Sequence, residues 1–337
     1  MKNTFIRNTL ILSGVAAFCI IVPTVLINFG IIDAYVAQLL TLSGVNAIMA
    51  LSVNIICGIT GQLSLGQAGF MAIGCYATVL LTEAGIPLPV SVILAALISA
   101  FLGFLIGFPV LKLEGDYLAI VTLAFGEIIS KLLINLKNIT GGPNGKQFVT
   151  SLCLNPTLAY LVIISSLVVI IVLIQNFIRS SYGRAILAVR EDEVAANSSG
   201  IPIFKYKMLG FVIASFIAGI GGALYVMLIG FVKPDQASFT KSIDYLIYVV
   251  LGGMGSTTGS VLAAFVLTIL QEALRFLKDF RLLVYPVVLV IVMLFRPQGL
   301  LGTKEMSFIK SFEWIKKLFC RQESITAESF TETQEAE

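Results

Sequence analysis

A chain of 337 residues with 58% hydrophobic and only 12% charged residues, at a mean hydropathy of +0.98, cannot clothe a soluble domain, which carries about 25% charged residues. The net charge of +3 is small, and the absence of histidine excludes histidine-based acid–base and metal chemistry. Five cysteines (Cys19, Cys57, Cys75, Cys153, Cys320), three of them in apolar runs, fit neither a disulfide framework nor a zinc spacing.

Apolar stretches of about 20 residues recur along the chain, each long enough to cross a hydrocarbon core of about 30 Å as a helix. Lys2 and Arg7 precede an apolar run over 9–29. That run is too long for the core of a signal peptide and no small-x-small cleavage site follows it, so it reads as the first span. Further spans are expected over 36–57, 66–83, 90–111, 117–137, 157–177, 207–231, 242–252, 259–276 and 282–296. The span over 242–252 is short, and the "GGMGSTTGS" behind it (Gly252 to Ser260) predicts a broken or re-entrant segment. Ten spans with a cytoplasmic N-terminus leave most of the 22 Lys and Arg residues in the cytoplasm, whereas nine would put the basic tail outside. Arg275, Lys278 and Arg281 run against that count. The expectation is an all-α polytopic membrane protein with about ten transmembrane helices (8–10), its transmembrane domain over 1–302 and a cytoplasmic tail over 303–337. In the tail, "FIKSFEWIKKLF" spaces Phe308, Phe312, Ile315 and Phe319 as an amphipathic helix at the membrane surface, and an acidic disordered end follows.

Within the spans, "GITGQLSLGQAGFMAIGCY" (Gly58 to Tyr76) alternates glycines with Gln62, Ser64 and Gln67 and carries no charge. Glycine lets backbone unwind, and neutral amides offer donors and acceptors without the cost of a full charge, so these three residues are candidates for lining a pathway. Close helix packing through small residues accounts for the glycines equally well, as it does for Gly103 and Gly107 in "GFLIG". Glu127 falls near the middle of a span with Lys131 four residues on, which places both on one helix face as an intramembrane pair. A gating or pathway role is the alternative for that pair.

"TGGPNGKQ" (Thr140 to Gln147) superficially matches a phosphate loop, but Thr140 and Gln147 stand where that motif needs Gly and Ser or Thr. A Gly/Pro/Asn turn in an external loop is the better reading. With no nucleotide loop elsewhere, the chain is expected to have no catalytic residues and no cofactor or metal of its own. "EDEVAANSSGIP" (Glu191 to Pro202) stands apart from its apolar flanks. Gly200 can close a helix and Pro202 prevents its continuation, while Val194, Ala195 and Ala196 supply a small apolar surface beside Glu191, Asp192 and Glu193. Small side chains permit close approach to a groove on another protein, whereas the acidic run disfavours an anionic bilayer surface.

This stretch resembles the E-x-A-A-x-x-x-G loop of bacterial ABC-importer permeases, with Glu193, Ala195, Ala196 and Gly200 at the matching positions. Longer blocks, "GQLSLGQAGFMAIG", "GDYLAIVTLAFGEI", "TGGPNG", "SYGRAILAVREDEVAANSSGI", "LGGMGSTTGSVLAA" and "FRPQGLLG", are similar to the branched-chain amino acid permeases, the M-type subunits of leucine/isoleucine/valine systems in particular. They extend from about Ile59 to Gly302. The resemblance implies a permease of the bacterial cytoplasmic membrane with both termini inside and a coupling loop over 178–206. It further implies a second related permease, two cytoplasmic subunits that bind ATP and Mg, an external solute-binding protein, and alternating access. Importers of urea or short-chain amides lie close by, and sugar permeases share the superfamily. An ion-coupled secondary transporter is the rival from a different class; it needs a buried charge relay, for which Glu127 is the sole candidate, and leaves 191–202 without a role.

Overall fold

The computed structural model describes residues 20–275, apart from Ile31 and Glu114, and a few positions between 286 and 299. Most of the run over 9–29, most of the expected span over 282–296 and the tail over 303–337 lie outside the described residues. Each of the eight spans expected between 36 and 276 coincides with a helix.

Helix α1 (Ala34–Val53) runs on through a π-helical turn (Asn54–Ile59). It is followed by α2 (Gln67–Glu83), α3 (Leu88–Val110), α4 (Asp116–Asn135) and α5 (Pro156–Arg179). Two amphipathic pieces come next, α6 (Ser181–Glu191) and α7 (Glu193–Ser198). Then come α8 (Ile203–Ile229), α9 (Phe239–Gly252) and α10 (Thr257–Ala273). Five helices, α1 with its π turn, α3, α4, α5 and α8, are long and apolar enough to cross a membrane by length and composition. At 1.5 Å per residue the 14 residues of α9 reach only about 21 Å, short of a hydrocarbon core.

Two interruptions divide the apolar sequence where glycine and neutral polar residues gather. The first is Thr60–Gly66 between α1 and α2, and the second is Gly253–Ser256 between α9 and α10. The expected break after 252 is therefore real, and α9 and α10 do not merge. They fold against each other so closely that a Cβ on Gly252 would sit 2.5 Å from the Gly259 carbonyl carbon.

The core forms where α8 crosses α2 and α3. A Cβ on Gly74 would lie 2.3 Å from the Gly219 carbonyl oxygen, and one on Gly222 would lie 2.0 Å from that of Met71. Backbones meet directly there, the usual way for membrane helices to gain dispersion contact without a hydrophobic drive between them. Gly103 and Gly107 of α3 serve the same purpose against Ser215 and Met208 of α8, which settles the "GFLIG" glycines as packing residues. Ser99 bridges the same crossing, its hydroxyl placed 2.9 Å from the Ser215 carbonyl and 3.1 Å from that of Phe70.

The loop containing "TGGPNGKQ" folds as a short 3-10 turn (Gly142–Asn144) and a strand, β1 (Lys146–Gln147), paired antiparallel with β2 (Phe231–Val232). A phosphate loop needs a helix after its glycines; here a strand follows, with Lys146 bound to Glu83. The turn reading stands.

Candidate coupling element and broken-helix junction

The stretch 178–206 folds as two helices rather than one. Ser180 caps the start of α6, its hydroxyl accepting from the Gly183 N–H at 3.2 Å. The helix ends at Asp192, whose extended backbone (φ −157°, ψ 110°) breaks the run. Asp192 also starts α7, since its carboxylate accepts from the N–H groups of Val194 (2.8 Å) and Ala195 (3.0 Å). These are two of the donors that a helix N-terminus leaves without partners, and the negative charge sits favourably at that end. At the other end Gly200 adopts φ +81°. The Ile201 N–H reaches the Ala196 carbonyl and the Gly200 N–H that of Asn197, the double bond of a Schellman closure.

The four residues matched to the coupling motif do not share one face. Val194, at 77% exposure, and Ala195 point outward, but Ala196 is buried. The apolar surface expected from Val194, Ala195 and Ala196 together is thus divided, because successive helical positions turn by about 100°. Ala196 lets α7 seat closely, and Ala195 remains available to a partner. Glu193 is held 2.6 Å from the Lys207 ammonium of α8.

Gln62, Ser64 and Gln67 come together at the first break, buried inside the chain. Gln67 opens α2 and accepts a hydrogen bond from Ser52 Oγ at 3.0 Å. Its amide nitrogen, both amide atoms of Gln62 and the amide nitrogen of Asn54 are buried without partners. Unsatisfied amides in this number are unusual in a protein interior. The irregular backbone around them is secured by Thr122, whose hydroxyl accepts from the Leu65 N–H at 3.0 Å, and by the Gln62 N–H bonding to the Ile56 carbonyl.

Glu127 and Lys131 do not pair. Glu127 instead accepts a hydrogen bond from the Phe239 N–H at 3.1 Å, drawn to the first unpartnered donors of α9, which its negative charge suits. Lys131 is exposed at a shallow hollow of about 500 Å³ lined by Glu127, Ile128, Leu132, Asn135 and Leu136.

Three residues beyond the sequence reading complete the junction. The Asn54 carboxamide oxygen accepts from the Gly255 N–H at 2.9 Å and so joins the two breaks. Arg190, in the last turn of α6, donates from Nη1 to the Gly58 carbonyl. A Cβ on Gly58 would fall 2.4 Å from the Gly255 nitrogen, which shows how tightly the breaks abut. The signal for Asn54 was a lone amide within "MALSVNIICGI" and that for Gly255 its place in "GGMGSTTGS"; nothing local marked Arg190.

Residues 35–295 match the family described as branched-chain amino acid transport system / permease component. The chain belongs to that family. It is 38% identical over 295 residues to the high-affinity branched-chain amino acid transport system permease protein LivM of Salmonella typhimurium, covering 77% of this chain and 68% of the relative. LivM of Escherichia coli K12 gives the same identity and coverage. The LivH permease of the same Escherichia coli strain is 33% identical over 134 residues, covering 39% of this chain and 43% of that one. No solved structure matches the chain. The family accounts for the bundle of apolar helices: this is an all-α polytopic membrane permease.

Proposed function

We propose that this chain is the transmembrane permease subunit of an ABC importer that carries leucine, isoleucine and valine across the cytoplasmic membrane by alternating access. The observation that carries the reading is α7, a capped six-residue helix that presents Val194 and Ala195 outward while Ala196 and the Glu193–Lys207 pair hold it to the bundle. A chain that does not hydrolyse ATP needs such a handle for a subunit that does. Two ATP- and Mg-binding subunits dock on α6–α7, and a second related permease of the LivH kind completes the pathway, in keeping with the similarity to LivM and LivH. An external binding protein delivers substrate, and both termini lie in the cytoplasm.

The junction residues Gln62, Ser64 and Gln67 line the path when it opens. A zwitterion with an apolar side chain requires polar atoms of modest strength, since a full charge midway would retain it. The unpartnered amides of Gln62 and Gln67 are free to solvate it.

Reconstitution in proteoliposomes with the partner subunits tests this. Leucine uptake should require both external binding protein and internal ATP. Uptake by the chain alone, driven by an ion gradient, overturns the importer reading; ATP-driven uptake of urea or a short-chain amide with no uptake of leucine overturns the substrate.

A further inference from the structure

The side chain of Arg190 lies between α6 and both breaks. Its Nη1 donates to the Gly58 carbonyl, at the end of α1 and its π turn. Its stem lies over Gly61, where a Cβ would meet the Arg190 Cγ at 2.9 Å. A Cβ on Gly255, beyond the end of α9, would stand 3.1 Å from the same Nη1. Gly61 (φ +70°) and Gly255 (φ +89°) both hold conformations that side chains resist, so glycine is needed at both turns.

The electrostatics point the same way. Helix C-termini carry partial negative charge and carbonyls without helical partners. One of them, that of α1 with its π turn, presents the Gly58 carbonyl to this guanidinium, and Asn54 ties that turn to the one after α9 through the Gly255 N–H. Among the described residues Arg190 has no carboxylate at ion-pair distance; its hydrogen-bond partner is the Gly58 carbonyl, and the residue is otherwise exposed. At the other end, Arg190 precedes by two residues the Asp192 break that starts α7. Ile186 and Val189 bury the rest of α6 against the bundle.

We propose that Arg190 is a positioning residue of the transport cycle: it ties the docking pair α6–α7 to the two broken-helix turns, so that displacement of the pair withdraws the guanidinium and frees the junction to open. The proposal rests on reading α6–α7 as the ATPase docking element. Loss of the arginine should then leave docking in place and disconnect ATP hydrolysis from the pathway.

The chain carries its own reporter. Cys57 lies buried in the π turn next to Gly58 and against the Ser64 backbone, whereas Cys75 is buried in α2 away from the junction. The test uses the assembled importer in proteoliposomes with Arg190→Gln and Arg190→Lys. A parallel set of chains retains only Cys57 or only Cys75, the other four cysteines being replaced by alanine. The ATPase subunits should co-purify with both variants and ATP hydrolysis should continue. Leucine carried per ATP should fall about tenfold in Arg190→Gln, the scale expected for losing a charge-assisted hydrogen bond. Arg190→Lys, which keeps the charge and stem but not the fork, should lie between. Maleimide labelling of Cys57 should quicken by about the same factor while Cys75 stays unreactive. If Arg190→Gln fails to fold, Gly255→Ala disturbs the contact from the other side and should give the same signature. Coupling and Cys57 labelling both unchanged would overturn the proposal, as would parallel exposure of Cys57 and Cys75, which marks general loosening. A wild-type importer without ATP-driven leucine uptake would overturn the proposed function instead, and Cys57 labelling, which needs no substrate, would still decide the tie.

Discussion

Glu193 and Lys207 lie 2.6 Å apart, and the two ends of the pair are unequally exposed: 12% of the lysine side chain against 44% of the glutamate. The lysine is committed to the bundle while the glutamate is half open to the surface. Reversing one charge, Glu193→Lys, sets two ammonium groups together and should abolish ATPase co-purification and leucine uptake while membrane insertion persists. The double variant Glu193→Lys with Lys207→Glu should recover the thermal stability, a matter of about 1 kcal/mol for a half-exposed pair. If Glu193 also contacts the ATPase subunit, as proposed, the double variant should not recover uptake. Thermal unfolding in detergent and transport assays on the same preparations separate the two effects.

Gly200 isolates backbone strain from crowding. A Cβ there would meet nothing within 4 Å, yet φ is +81°. Substitution therefore costs about 1–2 kcal/mol through the left-handed conformation alone, and asparagine, which tolerates that region, should cost less. ATPase co-purification and uptake should decline in the order Gly200, Gly200→Asn, Gly200→Ala, Gly200→Val. An alanine variant equal to wild type would show that the Schellman closure does not hold α7 in its docking pose.

At Gly222 the opposite holds. Its Cβ would be 2.0 Å from the Met71 carbonyl oxygen, backbone against backbone, with no flexible side chain to yield. Gly222→Ala must push α8 from α2, and a loss of about 3 kcal/mol is expected, at the upper end for overpacking. Gly85→Ala is the control, strained in φ (+87°) but uncrowded. Its thermal unfolding in detergent should shift by less than half as much.

How much of this was legible follows from the range of each interaction. Helix positions between 36 and 276 were readable because apolar length is local, and the breaks near Gly58 and Gly252 were readable because glycine and amides mark them. The α7 caps are half readable: Gly200 and Pro202 announce the end, but in sequence Asp192 is one of an acidic run, and only the fold shows its carboxylate beginning the helix. Glu127 shows the limit of local reasoning. Its spacing to Lys131 fits an ion pair, but the N-terminus of α9, 112 residues away in sequence, competes better for the carboxylate. Arg190 and Gly255 met only through the tertiary fold, as did the Asn54–Gly255 bond, which spans 201 residues.

Gln62 offers the sharpest separation of stability from transport. Both of its amide atoms are buried with no partner in the chain, so no protein hydrogen bond offsets their desolvation. Gln62→Leu keeps a similar volume and removes that cost, and thermal stability should hold or rise by about 1 kcal/mol. Gln67 differs, since its carboxamide oxygen shares the single Ser52 hydroxyl proton with the Ala214 carbonyl; Gln67→Leu leaves that proton to Ala214, and stability should change by less than about 1 kcal/mol. If both amides solvate the substrate when the path opens, the two variants should lose uptake to a similar degree, at least about tenfold, with little loss of stability. Such a loss cannot be blamed on folding for Gln62→Leu. Uptake within twofold of wild type for that variant would remove Gln62 from the pathway and leave its buried amide as a packing feature of the junction.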